Sequence, residues 1–231
     1  MDSRTYNTLF MIESLDGKIS SGTSDDLDAD RDWPQIEGVK EGLHQYYDLE
    51  QKTDLVSLNT GRVMAKIGVN NHKDKPEKSP VSFVIIDNKP HLNEDGVRYL
   101  AEKSKTFYLI TANLDHPAIK SKVGNLEIIK YDSEIDFGDL FKKLKQDFGI
   151  ERVTIQSGGT LNATLIREGL IDEVSVVVAP LFVGGKDTPT LVDGESLGSR
   201  SELNKIKALK LLEAKTLEKS YLHLRYKVIN K

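Results

Sequence analysis

One stretch, residues 152–186, constrains the fold more than any other. It reads RVTIQSGGTLNATLIREGLIDEVSVVVAPLFVGGK. Residues 152–156 have the pattern of a buried strand, Ser157-Gly158-Gly159 predicts a tight turn, and Thr160 is placed to cap the helix that follows. The almost wholly apolar segment 173–179 then predicts a strand that is covered on both faces. Strand, glycine turn, helix and strand form a βαβ unit, so the sequence predicts an α/β fold with parallel strands.

The glycine turn also has a chemical meaning. The start of a helix leaves backbone N–H groups unpaired and carries partial positive charge, which suits a phosphate. Gly158 and Gly159 have no side chain that would keep a phosphate away. Paired glycines are also common in ordinary tight turns, so on the pattern alone a phosphate site and a plain turn both remain open.

Composition narrows the class of protein. The chain has 231 residues, of which 38% are hydrophobic and 29% charged. These values predict one globular domain spanning residues 1–231, although the length also accommodates two small domains. The net charge of −4 and pI near 5.8 give no basic surface for nucleic acid.

The chain also lacks several features that would indicate other classes of protein. It has no cysteine, which excludes disulfides, thiol nucleophiles and cysteine-bound metals. No apolar run approaches the roughly 20 residues of a membrane span, and the first residues show no signal-peptide pattern. The histidines have no metal-ligand spacing, so we expect no metal site. These features predict a cytoplasmic protein without membrane or nucleic-acid partners.

Two further turns follow predicted strands. SLDGKI, beginning at Ser14, comes after a strand at residues 6–13, where α/β proteins place ligand contacts, although an ordinary Asp-Gly turn explains it equally well. Asn59-Thr60-Gly61-Arg62 comes after a strand at residues 54–58. Its arginine suits phosphate oxygens, with an exposed arginine that binds no ligand as the alternative.

The sequence GGTLNATLIREGLIDEVSVVVAPLFVGGKDTPTL closely resembles the reductase family formed by the C-terminal domain of the riboflavin-biosynthesis deaminase–reductase RibD. SLDGKI resembles the same family after its first strand. This resemblance implies a dihydrofolate reductase-like three-layer sandwich, with a mostly parallel central sheet and an antiparallel C-terminal hairpin. It covers nearly the whole chain and is weakest over residues 25–79.

The resemblance also implies site residues. On the substrate or nicotinamide side it places Ser14, Asp16, Gly17, Gly184 and Gly185. Asp16 is the candidate catalytic residue: it is expected to act as a hydrogen-bonding group, and Asp16 or a water that it orders is the candidate for delivering the proton. For NADPH it implies one set at the glycine turn and a second set elsewhere: Ser157, Gly158, Gly159, Thr160 and Leu161, with Thr60, Gly61, Arg62 and Thr111.

The implied activity is NADPH-dependent reduction of the ribosyl group of an aminopyrimidine phosphate to a ribityl chain, in a homodimer. One departure bears on the substrate. Where the family usually has Asp-Asp-Pro and an arginine for the substrate phosphate, residues 65–79 read AKIGVNNHKDKPEKS. Lys66, His72 and Lys73 are possible substitutes without a spacing argument. A dihydrofolate reductase-like enzyme for another heterocycle or carbonyl, and a non-catalytic NADPH-binding module, therefore remain alternatives.

Five other segments carry predictions. Residues 36–52 predict a helix, and Trp33-Pro34 either covers a ligand or fills the core. Residues 23–32 form an acidic loop. Its Asp26, Asp28 and Asp30, with Glu37, match a calcium-loop template, but Arg31 replaces the template's glycine and Pro34 falls inside it, so a mobile solvated loop over the active site is favoured. Apolar spacing over residues 137–148 predicts an amphipathic helix with buried aromatics. Residues 208–216 and 221–229 predict a hairpin with one buried face that contains Leu222.

Overall fold

The protein is described by a computed structural model over residues 3–230. Within that range lie nine strands, six α-helices and five short 3₁₀ segments. The strands are β1 Tyr6–Ser14, β2 Val56–Thr60, β3 Ser82–Ile86, β4 Phe107–Thr111, β5 Leu126–Lys130, β6 Arg152–Ile155, β7 Glu173–Ala179, β8 Ala208–Thr216 and β9 Leu222–Ile229. The α-helices are α1 Ala29–Asp32, α2 His44–Glu50, α3 Gly61–Lys66, α4 Glu94–Lys103, α5 Phe137–Gln146 and α6 Gly159–Arg167. The 3₁₀ segments are Trp33–Gln35, Val69–Asn71, Pro117–Lys120, Arg200–Lys205 and Glu218–Ser220.

The chain divides into two compact units. The first unit comprises the described residues up to Thr5 together with Asp54–Ser157. The second unit comprises Tyr6–Thr53 together with the residues from Gly158 onwards. The assignment of residues 1–231 to a single domain stays a prediction. No helix within residues 3–230 has the length and apolar character needed to cross a membrane.

The first unit is a parallel sheet with helices packed on it. Its strands follow the order β5-β4-β3-β2-β6, and the neighbours are paired in parallel. Parallel strands buried on both faces are rich in branched apolar residues, as in β4, whose five residues are all buried. Helix α4 begins at the cap Asn93 and buries Val97, Leu100 and Ala101 in this core.

The amphipathic helix predicted over residues 137–148 is present as α5. Leu140, Phe141 and Leu144 are fully buried. Phe148, however, lies beyond the end of the helix, is 36% exposed and packs edge-on against Tyr108. The prediction that the aromatic side chains of this segment all lie in the core is therefore wrong for Phe148. Helix α5 ends at Gln146, so the helical spacing that buries the earlier side chains does not extend to Phe148.

The second unit has the strand order β1-β7-β9-β8. Strands β1 and β7 are parallel, whereas β7–β9 and β9–β8 are antiparallel. All seven residues of β7 are buried, as its sequence predicted. The predicted α/β class, with mostly parallel strands and an antiparallel C-terminal hairpin, is confirmed.

Two predictions for the second unit need correction. The helix predicted over residues 36–52 is restricted to α2, because residues 37–43 form turns and Gly38 has φ +85°. The hairpin is present and Val228 of its predicted buried face is buried, but the prediction is wrong at Leu222. Leu222 is 37% exposed while His223 is buried, since the His223 Nε2 and Ser175 Oγ atoms lie 2.8 Å apart and satisfy each other.

The acidic segment predicted as a mobile solvated loop over the active site is partly ordered by its own carboxylates. Asp28 caps α1 by accepting a hydrogen bond from the Asp30 amide at 2.9 Å, and Asp30 accepts one from the Tyr47 hydroxyl at 3.0 Å. Residues 29–32 of the predicted loop are therefore helical. No group of three or more potential metal ligands occurs within residues 3–230.

A buried carboxylate, Asp87, organises the end of β3 in the first unit. Its two oxygens accept hydrogen bonds from His91 Nδ1 at 2.9 Å, His116 Nε2 at 3.0 Å and the Leu92 amide at 3.0 Å. His116 Nδ1 accepts the Ala118 amide, so Nε2 is the ring atom that donates to Asp87. Burial alone would raise the pKa of Asp87, but these donors outweigh it and hold the pKa below its usual range.

We expect Asp87→Asn to lower the free energy of unfolding at neutral pH by about 2 kcal/mol, as for the loss of charge-assisted hydrogen bonds. Because the pKa of Asp87 is lower in the folded than in the unfolded state, its ionised carboxylate stabilises the fold at pH values above the unfolded-state pKa of about 4. This stabilisation is lost as the pH falls through the folded-state pKa. The difference in the free energy of unfolding between Asp87→Asn and wild type should therefore shrink below about pH 4. Urea denaturation at a series of pH values measures this difference.

Asp95→Asn is the matched control, because Asp95 forms an exposed ion pair with Arg98. Its effect should stay within about 0.5 kcal/mol. Equal stability of Asp87→Asn and wild type at neutral pH would contradict the stabilising role of Asp87.

Candidate functional site

The turn after β1 is built by Ser14. Its Oγ atom donates to Asp16 Oδ1 at 2.6 Å and accepts the Lys18 amide at 2.9 Å. Its carbonyl oxygen accepts the Gly17 amide at 2.9 Å, and Gly17 has φ +76°, a conformation that favours glycine. The Asp-Gly pattern therefore predicted this turn correctly.

Asp16 fixes the loop that follows β7. Its Oδ1 atom accepts the Val183 amide at 3.1 Å, and its Oδ2 atom accepts the Gly184 amide at 2.7 Å. The Ser14 hydroxyl lowers the pKa of Asp16 most, and together with these two amides it outweighs desolvation and brings the pKa to about 2. Asp16 is therefore a charged acceptor at neutral pH, which favours the predicted hydrogen-bonding role over direct proton donation.

The same loop depends on two glycines. Gly184 and Gly185 have φ +74° and +81°, and a Cβ atom on Gly185 would overlap the Thr188 hydroxyl. The structure thus brings four of the predicted substrate-side residues into one hydrogen-bonded arrangement and places Gly185 beside them: Ser14, Asp16, Gly17 and Gly184.

Lys18 is a further polar residue in the turn after β1, and it was not among the site residues predicted from the sequence. The side chain is buried, and its ammonium donates to the Thr188 carbonyl oxygen at 3.0 Å. The Gly17 carbonyl oxygen accepts the Leu191 amide at 3.1 Å, which extends the contact along the loop. Lys18 lies inside SLDGKI, but a lysine is normally exposed, so residue type gave no signal for its burial.

The glycine turn differs in detail from its prediction. Gly158 is the N-cap of α6 at φ −72° and ψ 157°, and the helix begins at Gly159. The prediction that Thr160 caps the helix is wrong, because Thr160 lies within the first turn, followed by Leu161. No side chain caps α6, so its leading amides depend on backbone, solvent or ligand acceptors.

The two glycines serve different purposes. A Cβ atom on Gly159 would overlap the Thr190 carbonyl oxygen and crowd the Asp193 carboxylate. A Cβ atom on Gly158 would meet nothing within 4 Å. Gly159 is therefore required by the protein's own packing, whereas the space at Gly158 is open to a ligand.

The remaining cofactor candidates lie in the first unit, where Ser157 is also buried. Thr60 caps α3 through the Val63 amide, and a Cβ atom on Gly61 would overlap the Asp87 carboxylate. The Thr111 hydroxyl donates to the Asp87 carbonyl oxygen at 3.0 Å. Thr60, Gly61 and Thr111 thus have structural roles here, and their contacts with a cofactor, like that of Arg62, stay predictions.

Glu13 was also missed by the sequence reasoning. It directly precedes Ser14 in β1, and desolvation by burial raises the pKa of its carboxyl to about 7. Because successive strand residues point to opposite faces, Glu13 lies on the other face of β1 from Ile12 and Ser14. The alternation of side chains along a strand indicates from the sequence which face of β1 Glu13 occupies. Nothing in the sequence indicates that its carboxyl is buried there.

The mostly parallel α/β fold, the turn after β1 and the uncapped glycine turn before α6 are the arrangement expected of the reductase family that the sequence resembles. The model of the RibD C-terminal domain family matches residues 5–222. The chain belongs to the RibD C-terminal domain family.

Curated relatives agree with this family. The 2,5-diamino-6-ribosylamino-4(3H)-pyrimidinone 5′-phosphate reductase of Methanothermobacter thermautotrophicus is 28% identical over 207 residues, which are 86% of this chain and 88% of that protein. The reductase of the same name from Archaeoglobus fulgidus is 26% identical, over 89% of this chain and 94% of that protein.

Solved structures agree in fold. RibD of Acinetobacter baumannii has a TM-score of 0.69 at 18% identity, over 99% of this chain and 59% of that chain. The riboflavin biosynthesis reductase of Saccharomyces cerevisiae has a TM-score of 0.62 at 17% identity, over 99% and 92%. The predicted family, fold and reductase class are confirmed, and membership in this oxidoreductase family implies a nicotinamide cofactor.

We expect Asp16→Asn to release the loop after β7. Amide hydrogen exchange at Val183 and Gly184 should accelerate about tenfold, because the amides lose a charged acceptor. In the wild type the contact should persist with falling pH until Asp16 is protonated near its pKa of about 2. Asp187→Asn, in an exposed part of the same loop, is the control and should leave both amides unchanged.

We expect Glu13→Gln to stabilise the fold in weakly alkaline solution. The folded-state pKa of about 7 lies above the unfolded-state value of about 4.3, so the contribution of Glu13 to stability is complete below the latter and is lost as the pH rises through 7. Glu13→Gln avoids this loss. Denaturant unfolding should therefore show that its free energy of unfolding, relative to wild type, increases between about pH 5 and 8. Exposed Glu134→Gln should show no such trend.

Proposed function

We propose that the protein is an NADPH-dependent reductase that acts on 2,5-diamino-6-ribosylamino-4(3H)-pyrimidinone 5′-phosphate, the compound in the names of its relatives, and converts the ribosyl group to a ribityl chain. The observation that carries this proposal is the uncapped start of α6 beside the open space at Gly158. Family membership gives that space its ligand, a nicotinamide dinucleotide.

The start of α6 fits a pyrophosphate. The helix has nine residues, its N-cap is a glycine without a side-chain acceptor, and its leading N–H groups suit an anion. We propose that Gly158, Gly159, Thr160 and Leu161 hold the pyrophosphate through backbone contacts. When bound, the cofactor supplies a hydride from its nicotinamide ring.

Asp16 and its neighbours support the acceptor side of the reaction. Reduction adds a hydride to C1′ of the opened sugar, or of its imine, and a proton to the oxygen or nitrogen. Since Asp16 stays ionised at neutral pH, it binds donor groups, and we propose that it orients a substrate hydroxyl or a water that delivers the proton. The buried Lys18 ammonium adds positive charge at the same turn and holds its loop in place.

A second candidate, a reductase of another heterocycle or carbonyl, rests on the departure of residues 65–79 from the family's usual sequence. In the segment where the family's usual phosphate-binding residues are absent, His72 stacks on Tyr99 with ring centroids 4.3 Å apart. The Asn70 side chain contacts the His91 carbonyl oxygen at 2.7 Å. His72 is thus engaged within the first unit, so among the substitutes considered for the phosphate contact Lys66 and Lys73 remain.

We also propose that the protein is a homodimer and is located in the cytoplasm. Strand β8 is at the edge of the strand order in the second unit, and all nine of its residues are exposed. Leu209, Leu211 and Leu212 lie on it with about half of their surface exposed. An exposed apolar edge strand is a common site of pairing with a second copy, which supports the dimer.

The proposed reaction is tested with the purified protein, NADPH or NADH, and the pyrimidinone phosphate. We expect loss of nicotinamide absorbance with NADPH, and formation of the ribityl product. NADPH binding without oxidation would indicate a non-catalytic binding module. Oxidation with other carbonyl compounds, but not with this one, would favour the second candidate.

We expect Gly158→Asp to raise the NADPH dissociation constant at least about tenfold, because a carboxylate at the helix start competes with phosphate for the leading amides. The fold should tolerate the change, since the backbone angles suit any residue and the Cβ position is open. Titration followed by nucleotide fluorescence measures the constant. Gly124→Asp, also at an open Cβ position, is the control, and equal constants for all three proteins would contradict the proposed phosphate site.

A further inference from the structure

A carboxylate lies beside the start of α6 without capping it. The Asp193 amide donates to the Gly159 carbonyl oxygen at 3.0 Å, and a Cβ atom on Gly159 would come within 2.5 Å of Asp193 Oδ2. Cβ atoms in a helix point towards its N-terminus, so this carboxylate lies on the N-terminal side of the first turn. Within residues 3–230, however, no side chain caps α6.

A carboxylate in this position would be expected to bind the leading amides. Aspartate is among the preferred side chains at helix starts, because it accepts the unpaired N–H groups and faces the positive end of the helix dipole. A phosphate uses the same N–H groups and the same partial charge. Asp193 is therefore an internal anion that can compete with the proposed pyrophosphate for the start of α6.

Thr190 engages this carboxylate instead. Its hydroxyl donates to Asp193 Oδ1 at 2.5 Å, and its amide nitrogen lies 3.2 Å from Oδ1 and 3.3 Å from Oδ2. The other acceptor near the hydroxyl, the Val192 carbonyl oxygen, is 3.1 Å away, so the contact with the charged carboxylate is the stronger one. Asp193 would have to release both donors to turn towards α6, so Thr190 holds it away from the leading amides.

Thr190 is in turn held by the substrate-side turn. It forms an isolated antiparallel bridge with Lys18. Next to this bridge, the Ile19 amide donates to the Pro189 carbonyl oxygen at 3.0 Å. All of these residues belong to the second unit. The backbone of Thr190 is therefore fixed by the turn after β1, and its side chain by the carboxylate of Asp193.

We propose that Thr190 is a positioning residue that retains the carboxylate of Asp193 and so keeps the start of α6 open for the pyrophosphate of the nucleotide. This inference rests on the proposed function and deepens it, because it assigns control of cofactor affinity to a residue that acts through Asp193. Loss of the Thr190 hydroxyl frees Asp193 to accept the leading amides, where it competes with phosphate.

Thr190→Val removes the hydroxyl and keeps the branched shape of the side chain. We expect it to raise the NADPH dissociation constant roughly threefold to tenfold, as for one lost hydrogen bond, because the freed carboxylate then competes for the leading amides. Titration followed by nucleotide fluorescence measures the constant. Thr164→Val is the matched control, because the exposed Thr164 hydroxyl donates within α6 to the Thr160 carbonyl oxygen at 3.2 Å. It should leave the constant unchanged.

A double variant separates competition by Asp193 from damage to the loop. Asp193→Ala removes the competing carboxylate, so the addition of Thr190→Val to it should change the NADPH dissociation constant by less than about twofold. An equal effect of Thr190→Val in the presence and in the absence of the carboxylate would show that the loss of affinity is merely structural, and would overturn the inference.

The unliganded protein gives a second measurement that needs no cofactor. Amide hydrogen exchange at Thr160 and Leu161, in the first turn of α6, should slow in Thr190→Val, because Asp193 then accepts hydrogen bonds from these amides. The exchange should return to the wild-type rate when Asp193→Ala is added. Faster exchange at these amides in Thr190→Val would mean that the variant only loosens the helix start, which contradicts the proposed role.

The outcomes separate this inference from the proposed function. NADPH binding that Gly158→Asp weakens, but that Thr190→Val leaves unchanged, would overturn the role of Thr190 alone. A wild type that does not bind NADPH would overturn the proposed function and this inference with it. Should Thr190→Val prove unstable, Asp193→Ala decides the question. It should lower the NADPH dissociation constant about twofold to threefold, since it removes a negative charge beside the phosphate site, and an unchanged or higher constant would overturn the inference.

Discussion

The carboxylate of Asp16 is the interaction on which the candidate site depends. It joins the turn after β1 to the loop after β7 by accepting one hydroxyl and two backbone amides. The loop then continues along the second unit, where the Leu191 amide contacts Gly17 and the Asp193 amide contacts Gly159. Three successive contacts along residues 183–193 thus connect the substrate-side turn with the glycine turn, which are remote from each other in sequence.

Two carboxyl groups in this short segment have opposite electrostatics. Hydrogen bonds lower the pKa of Asp16 to about 2, whereas burial raises the pKa of Glu13 to about 7. They are separated by only two residues, but strand alternation and the turn put them in different surroundings. The protein therefore keeps an ionised carboxylate where the loop needs an acceptor and, on the other face of β1, a carboxyl that titrates around neutral pH.

Elements with a strong local pattern were predictable from the sequence. Strand β7 matches its prediction at both ends, and the Asp-Gly and Gly-Gly turns are present where their residues placed them. Such elements depend on local rules of burial and backbone conformation, which a sequence displays directly. Recognition of the family likewise depended on contiguous motifs.

Other features depend on contacts between distant residues, and these the sequence did not show. Asp87 meets His116 across 29 positions, and Asp16 meets Gly184 across 168. The helix predicted over residues 36–52 was cut short by Gly38, whose positive φ is a tertiary outcome rather than a pattern. The burial of Lys18 similarly becomes visible only when the chain is folded.

The different surroundings of Gly158 and Gly159 have an evolutionary consequence. Gly159 is fixed by the Thr190 carbonyl oxygen and the Asp193 carboxylate, so selection for folding alone would preserve it in a descendant that had lost its cofactor. Gly158 faces open space and would drift once no ligand occupied it. Among diverged members of this family, the first glycine of the pair is therefore the better record of continued nucleotide binding, and the second mainly records descent.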